Sequence, residues 1–178
     1  MKRMFAVAAV MTVAAPVGVA PPVSAHEGAT GIVETRMHAM KKIGKAVRDL
    51  KGMMADEDDY DADIVREQAK IIRLHAGKKM TQQFPEGSLQ NPTHAKAEIW
   101  SDWDRFSELA HQLKDLASGL ELAADNGLMQ EGLSHMEDMM GNGSPSLDAL
   151  GQMPADGLVT MIIETCSDCH RAFRARKP

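Results

Sequence analysis

The strongest constraint on the fold is a long segment in which apolar residues return at alternating intervals of four and three. The residues that keep this spacing are Ile99, Trp103, Phe106, Ala110, Leu113, Ala117 and Leu120. Such spacing puts the apolar side chains on one stripe of a helix, and the stripe must be buried against other helices. The helix is predicted to begin at Pro92 and Thr93 and to end at Asn126 and Gly127.

Three further segments have a helical pattern. The first, from Val33, has its core-facing residues at Val33, Met40, Ile43, Val47, Leu50 and Met54. The second runs from Ile64 to Met80 and stops before Pro85. The last carries Leu158, Ile162, Cys166, Cys169 and Phe173 on one face. Four amphipathic helices, short connections and no alternating strand pattern predict an all-α fold, an antiparallel four-helix bundle.

The last helix contains a Cys-x-x-Cys-His motif, formed by Cys166, Cys169 and His170. This motif is the attachment signature of a c-type haem. On a helix the two thiols share a face, so both reach the vinyl groups of one porphyrin while the adjacent imidazole turns toward the iron. The motif therefore predicts one haem c, linked through both cysteines, with His170 as an iron ligand.

Two other chemistries use the same cysteine spacing. A redox dithiol or a small disulfide requires a strand and a crossover helix around the motif, and the pattern of this chain offers neither. A zinc site requires two more Cys or His ligands at short paired spacing, and the chain has only two cysteines. Both alternatives fit the sequence less well than haem attachment does.

The N-terminus has the parts of a secretory signal peptide, namely a basic start, an apolar stretch and a small-residue cleavage site that ends at Ala25. A membrane anchor is the alternative, but Pro16 interrupts the apolar stretch, which is short for a span of about 20 residues. We expect cleavage of residues 1–25 and a periplasmic domain of residues 26–178, with no stable membrane insertion.

Charge restricts the partners of this domain. The chain has 25 acidic and 20 basic residues, a formal net charge of −5. An acidic surface argues against nucleic acid, because binding to phosphates requires clustered Lys and Arg. The cations beside the haem motif, such as Arg171 and Arg176, are explained by the dipole of a C-terminal helix end.

Three stretches resemble the cytochrome c-prime family, the class II c-type cytochromes. They are residues 166–174 with the pattern Cys-x-x-Cys-His-x-x-Phe-Arg, the Phe-Pro-Glu-Gly-Ser run at 84–88 followed by Glu-Ile-Trp at 98–100, and residues 34–41 on the first helix. The third stretch is similar to the family pattern Arg-Gln-x-x-(Leu, Phe or Met), although Met37 replaces the glutamine.

The resemblance implies a four-helix bundle that dimerises through its first two helices, with haem bound to both cysteines and a histidine on the proximal side. It also implies that Arg36 lies near a haem propionate and that Arg174 lies close to His170. The residue four positions after the first-helix arginine faces the distal side of the iron. In gas-binding members it is an apolar residue such as Leu, and here it is Met40.

A methionine at this position favours iron ligation. A thioether ligand gives a low-spin His/Met centre of the kind found in electron-transfer cytochromes. We therefore expect a periplasmic electron carrier that works with redox partner proteins, with His170 and Met40 as axial ligands. The alternative is a five-coordinate protein that binds nitric oxide or carbon monoxide, in which Met40 only fills the helix seam. An enzyme such as a peroxidase lacks an evident distal acid–base pair.

A loop insertion is predicted from about 126 to 153. It is rich in methionine and also contains a histidine: Met129, His135, Met136, Met139, Met140 and Met153. Thioethers and imidazole suit soft copper. Gap-filling methionines are the alternative, and no tight ligand spacing supports a copper site.

Overall fold

The structure is a computed structural model, which describes residues 29–55, 57–89, 92–129 and 145–176. The predicted signal peptide, residues 1–25, lies outside the described residues. The central part of the methionine-rich loop, residues 130–144 with His135, also lies outside them.

Helices dominate the described chain. The long ones are α1 (Gly31–Met53), α2 (Ala62–His75), α5 (Trp103–Ala123) and α7 (Ala155–Phe173), and the short ones are α3 (Lys78–Thr81), α4 (Glu98–Ser101) and α6 (Leu147–Gly151). Two 3-10 turns, Glu57–Asp59 and Ala124–Asn126, follow α1 and α5. The four long helices form the predicted bundle. None of the helices in the described ranges has the length and apolarity needed to cross a bilayer.

Consecutive long helices run antiparallel. For α2 and α5, two hydrogen bonds show this direction. The Tyr60 hydroxyl, before α2, donates to the Ala124 carbonyl after α5, and the Gly77 amide, after α2, donates to the Ala110 carbonyl in α5. α2 packs against α1 and α5, and α5 packs against α7. By contrast, α1 and α7 touch each other much less than either touches its other neighbour.

The buried stripe of α1 differs from the predicted one. The residues that α1 buries are Val33, Arg36, Ala39, Ile43, Ala46 and Leu50. The seven-residue interval predicted that the seam also contains Met40, Val47 and Met54. These three residues are only half-buried and pack at the edge of the core. The buried residues at 39 and 46 are alanines, so the core-facing stripe of α1 lies one position away from the larger residues Met40 and Val47.

The second predicted helix is broken in two. α2 ends at His75 and α3 begins at Lys78, with Gly77 between them at φ +59°. This backbone conformation suits glycine, and a Cβ at Gly77 would lie 2.8 Å from Cδ of Lys114. The chain therefore turns at Gly77 and stays in contact with α5.

The third predicted helix begins later than expected. Residues 93–96, close to the predicted start, are not helical, and Ala95 instead forms an isolated antiparallel bridge with Arg174. α4 and α5 follow, separated at Asp102. The predicted end is confirmed, because the 3-10 turn after α5 finishes at Asn126 and Gly127 has φ +72°.

Part of the segment predicted as a loop is helical. α6 packs on α5 at Gly119, where a Cβ would collide with the side chain of Leu150. The Asn126 amide group donates to the carbonyls of Gly151 and Met153, at 3.0 and 2.8 Å. Met153 is buried in the core. These contacts fix the described ends of this segment to the bundle.

Candidate haem site

The Cys-x-x-Cys-His motif lies in the last turns of α7, within one uninterrupted helix. Cys166 and Cys169 are both free thiols and both half-buried, and they pack against the edge of the core. Leu158, Ile162 and Phe173 of the same helix are fully buried. The thiols therefore lie at the border between the core and the surface, where a bulky group can bond to them without disrupting the core.

The acidity of the thiols distinguishes between two chemistries. Burial raises the pKa of the Cys166 thiol to about 11. Burial, together with the neighbouring Cys166, raises the pKa of the Cys169 thiol to about 11 as well. Reactive dithiols have lowered thiol pKa values, because the thiolate is the attacking species. The microenvironment therefore argues against a redox dithiol.

His170 follows Cys169 directly and lies at the exposed edge of α7. Desolvation by the surrounding protein lowers the pKa of its imidazole, and the positive charge of Arg174 lowers it further. A lowered pKa favours the neutral ring, which is the form that binds a metal ion. Arg174 itself is exposed. Its electrostatic effect on His170 agrees with the proximity that the resemblance implied.

Met40 lies on a half-buried stripe of α1. The stripe also contains Met37, Gly44 and Val47, at helical spacing. Like the two cysteines, Met40 packs against the edge of the core. His38 is exposed, as expected for a residue on another face. These residues of the stripe include no acid–base side chain, and their metal-binding groups are the thioethers of Met37 and Met40, of which Met40 packs against the core.

The donor set fits a c-type haem. Cys166 and Cys169 supply two un-ionised thiols for thioether links, and His170 supplies a neutral imidazole. The thioether of Met40 lies on α1, which contacts α7 far less than α5 does. The half-buried apolar surface beside these groups suits a macrocycle that is apolar over most of its area.

Arg36 is buried, with 4% of its surface exposed. Its guanidinium donates to the Gln83 carbonyl at 3.4 Å, to the Ser88 hydroxyl at 3.2 Å and carbonyl at 2.9 Å, and to the Thr93 hydroxyl at 3.2 Å. It also lies 4.8 Å above the centroid of the Phe84 ring. Burial lowers the pKa of the guanidinium. Arg36 thus fastens Gln83, Ser88 and Thr93 to α1, and its contact with a propionate stays a prediction.

Replacing Arg36 with methionine should lower the free energy of unfolding by about 2–3 kcal/mol, as measured by urea denaturation of the haem-loaded protein. The substitution leaves the carbonyls of Gln83 and Ser88 without a donor. Removing a buried charge offsets part of that loss. Arg48→Met, on the exposed side of α1, is the matched control and should change the value by less than about 0.5 kcal/mol. An equal loss in both variants would contradict the structural role of Arg36.

A shallow cavity of about 400 Å³ adjoins the segment that Arg36 fastens. Its lining residues are Phe84, Pro85, Glu86, Trp100 and Trp103. The Trp100 indole N–H donates to the Phe84 carbonyl at 3.1 Å and so holds the two segments of this wall together. Thr93 and Lys96, which join this region to α7, have no sequence pattern that predicts their contacts, because their partners are distant along the chain.

The family profile described as Cytochrome C' matches residues 31–144 of this chain. A curated relative, cytochrome c-556 of Agrobacterium tumefaciens (strain II Chrys), is 28% identical over 152 residues, which cover 83% of this chain and 99% of that protein. The match therefore extends over nearly the whole length of the relative.

Solved structures are similar in fold. Cytochrome c' from Thermochromatium tepidum aligns with a TM-score of 0.60 at 22% identity, over 88% of this chain and all of that one. A ferrous variant of cytochrome c prime from Alcaligenes xylosoxidans with bound NO aligns with a TM-score of 0.58 at 19% identity, over 82% of this chain and 94% of that one. At these identities the likeness establishes the four-helix bundle.

Proposed function

Because this chain belongs to the cytochrome c' family, whose members carry one covalently attached haem c, we propose that it is an electron carrier with His170 and Met40 as axial iron ligands. The chain is a mono-haem c-type cytochrome, and its only two cysteines are Cys166 and Cys169. The single observation that carries the proposal is the position of Met40, half-buried at the core edge on α1, a neighbour of α7 that contacts it far less than α5 does.

The haem supplies reversible one-electron chemistry at its iron. The side chains of the protein hold it and set its properties. Cys166 and Cys169 would hold the macrocycle on α7, and the nitrogen of His170 and the sulfur of Met40 would bind its iron. With both ligands retained in both oxidation states, little of the chain would have to move when an electron is exchanged. The buried apolar core behind the thiols keeps water from one side of the site.

Location and partners are part of the proposal. The N-terminal pattern that ends at Ala25 supports export to the periplasm. Redox partner proteins would exchange electrons with the site, and no step of bond chemistry is assigned to the chain. An apolar outer stripe on α2, formed by exposed Ile64 and Leu74 with half-buried Ile71 between them, supports a homodimer through α1 and α2.

A second function has support from one similar structure. The Alcaligenes xylosoxidans cytochrome c prime that this chain resembles in fold was solved with NO bound to its ferrous form. In a gas-binding protein of this kind, Met40 would stay off the iron and leave the sixth position to nitric oxide or carbon monoxide. The two functions therefore differ in the ligation of one side chain.

An absorption spectrum of the purified haem-loaded protein separates the two functions. For the electron carrier we expect a low-spin ferrous spectrum with sharp α and β bands, and a weak charge-transfer band in the ferric state from iron–sulfur bonding. Carbon monoxide should then change the ferrous spectrum only slowly. A high-spin ferrous spectrum that shifts at once on addition of carbon monoxide would contradict ligation by Met40 and support the gas-binding function.

A further inference from the structure

Residues 93–96 tie the last turn of α7 to the rest of the protein, and we call them the strap. The Lys96 amide donates to the Phe173 carbonyl at 3.0 Å, and the Ala175 amide donates to the His94 carbonyl at 2.7 Å. The Lys96 ammonium donates to the Ala172 carbonyl at 2.7 Å. The two bonds from Lys96 satisfy the carbonyls of Ala172 and Phe173, at the end of α7, which the helix itself leaves without donors.

The strap acts on the turn that contains His170. Phe173 is buried, and its ring packs edge-on against Phe106 with centroids 5.4 Å apart. The last turn of α7 is thus held from the inside by an aromatic contact and from the outside by the strap. Because His170 lies in this turn, the position of its imidazole depends on both contacts.

The other end of the strap reaches α1. The Thr93 hydroxyl oxygen accepts from the Arg36 guanidinium at 3.2 Å and from the Ala95 amide at 3.2 Å. Arg36 lies one helical turn before Met40. A continuous hydrogen-bonded path therefore runs from the turn that precedes Met40, through Thr93 and the strap, to the turn that contains His170.

α1 and α7 pack too sparsely against each other to fix their relative position without this hydrogen-bonded path. α1 is held mainly by α2, and α7 mainly by α5, while α1 and α7 have few contacts with each other. Their relative position is otherwise set mainly through the intervening helices. The strap joins them over a much shorter route.

We propose that the strap is a positioning element that holds α1 and α7 at the separation at which Met40 and His170 bind one iron from opposite faces. The proposal rests on the proposed function, because it takes both residues as ligands. Thr93 and Lys96 are positioning residues and need not touch the haem. Weakening the strap should loosen the weaker of the two ligands, which is the Met40 thioether.

The experiment uses two variants of the haem-loaded protein, Thr93→Val and Lys96→Met. We expect a larger high-spin fraction in the ferrous spectrum and carbon monoxide affinity higher by about three- to tenfold, as for the loss of one hydrogen bond that favours the six-coordinate state. Thr93→Ser keeps the hydroxyl and should restore the original affinity.

Two matched controls test whether the position matters. Thr160→Val removes a hydroxyl that donates to the Asp156 carbonyl on α7, far from the strap. Lys70→Met removes a cation from the exposed surface of α2. Both should leave the spin state and carbon monoxide affinity unchanged. Equal changes in the controls and in the strap variants would overturn the proposal.

Hydrogen exchange provides a readout that does not depend on Met40. In Lys96→Met, the amides of Arg174 and Ala175 should exchange faster, while those in the middle of α7 stay protected. The iron–histidine stretching band of the ferrous protein should also shift. If the amides and this band are unchanged in both strap variants, the strap proposal fails. If they change while replacement of Met40 has no effect on the spectrum, the strap positions His170 and only the ligation by Met40 fails.

Discussion

A double replacement of Cys166 and Cys169 by alanine should give an exported protein without covalent haem. Its mass should be lower than that of the loaded protein by about 616 Da, the mass of one haem, beyond the small change of the two side chains. The physical reason is that no other cysteine exists to form a thioether. We also expect a lower thermal midpoint, because the apolar macrocycle packs against the protein only in the folded chain and its loss removes that burial.

Single variants at the same positions serve as controls. Cys166→Ala and Cys169→Ala each keep one half-buried thiol on α7, and each should retain part of the haem through one link. Acid–acetone extraction followed by mass spectrometry separates covalent from loosely bound haem. Haem that resists extraction in the double variant would show that attachment does not depend on these cysteines.

Replacing Met40 with leucine should convert a low-spin ferrous protein into a high-spin one. Leucine has nearly the same volume as methionine, so the packing at the core edge is kept at a cost of less than about 1.5 kcal/mol. Under the proposed ligation, the substitution removes the sulfur that completes the six ligands and opens the distal position to small molecules. The ferrous spectrum, with and without carbon monoxide, measures the conversion.

Met37 provides the matched control for this experiment. It lies one turn before Met40 on the same half-buried stripe of α1, so Met37→Leu changes the same chemical group in a similar environment. The spectrum of this variant should match that of the unmodified protein. If both variants keep the low-spin spectrum, Met40 is not the distal ligand. If both become high-spin, the effect comes from packing and not from the sulfur.

Local spacing predicted the parts of the fold that depend on one helix at a time. The spacing from Phe106 to Leu120 predicted the buried face of α5, whereas Trp103, at the start of that helix, is exposed and Ile99 lies on α4. The break at Gly77 was not predicted, since a glycine inside a helical pattern is often tolerated. Its turn depends on contacts with Ala110 and Lys114, which lie on another helix. Tertiary packing decides such positions.

In the candidate site, too, local spacing predicted some residues, while others depend on contacts between distant segments. Cys166, Cys169 and His170 are adjacent along one helix, so their chemistry could be read from spacing alone. The seven-residue spacing predicted Met40 in the packed seam, whereas the structure places it at the half-buried edge and buries the small residues Ala39 and Ala46 instead. The roles of Thr93 and Lys96 come from hydrogen bonds between segments far apart in the chain, which leave no local pattern.

The segment that contains α6 is held to the bundle at both ends, and this determines where the length of the chain can vary. The Ala155 amide donates to the Gly127 carbonyl at 2.9 Å, and the Met129 amide donates to the Asp156 carboxylate at 2.9 Å. Both ends of the intervening segment are therefore clamped at one point of the protein. Loop-closure entropy changes only slowly with loop length. We therefore expect additions between the clamps that leave α6 and Met153 in place to keep the packing of α5 and α7, so this point is suited to carrying extra sequence.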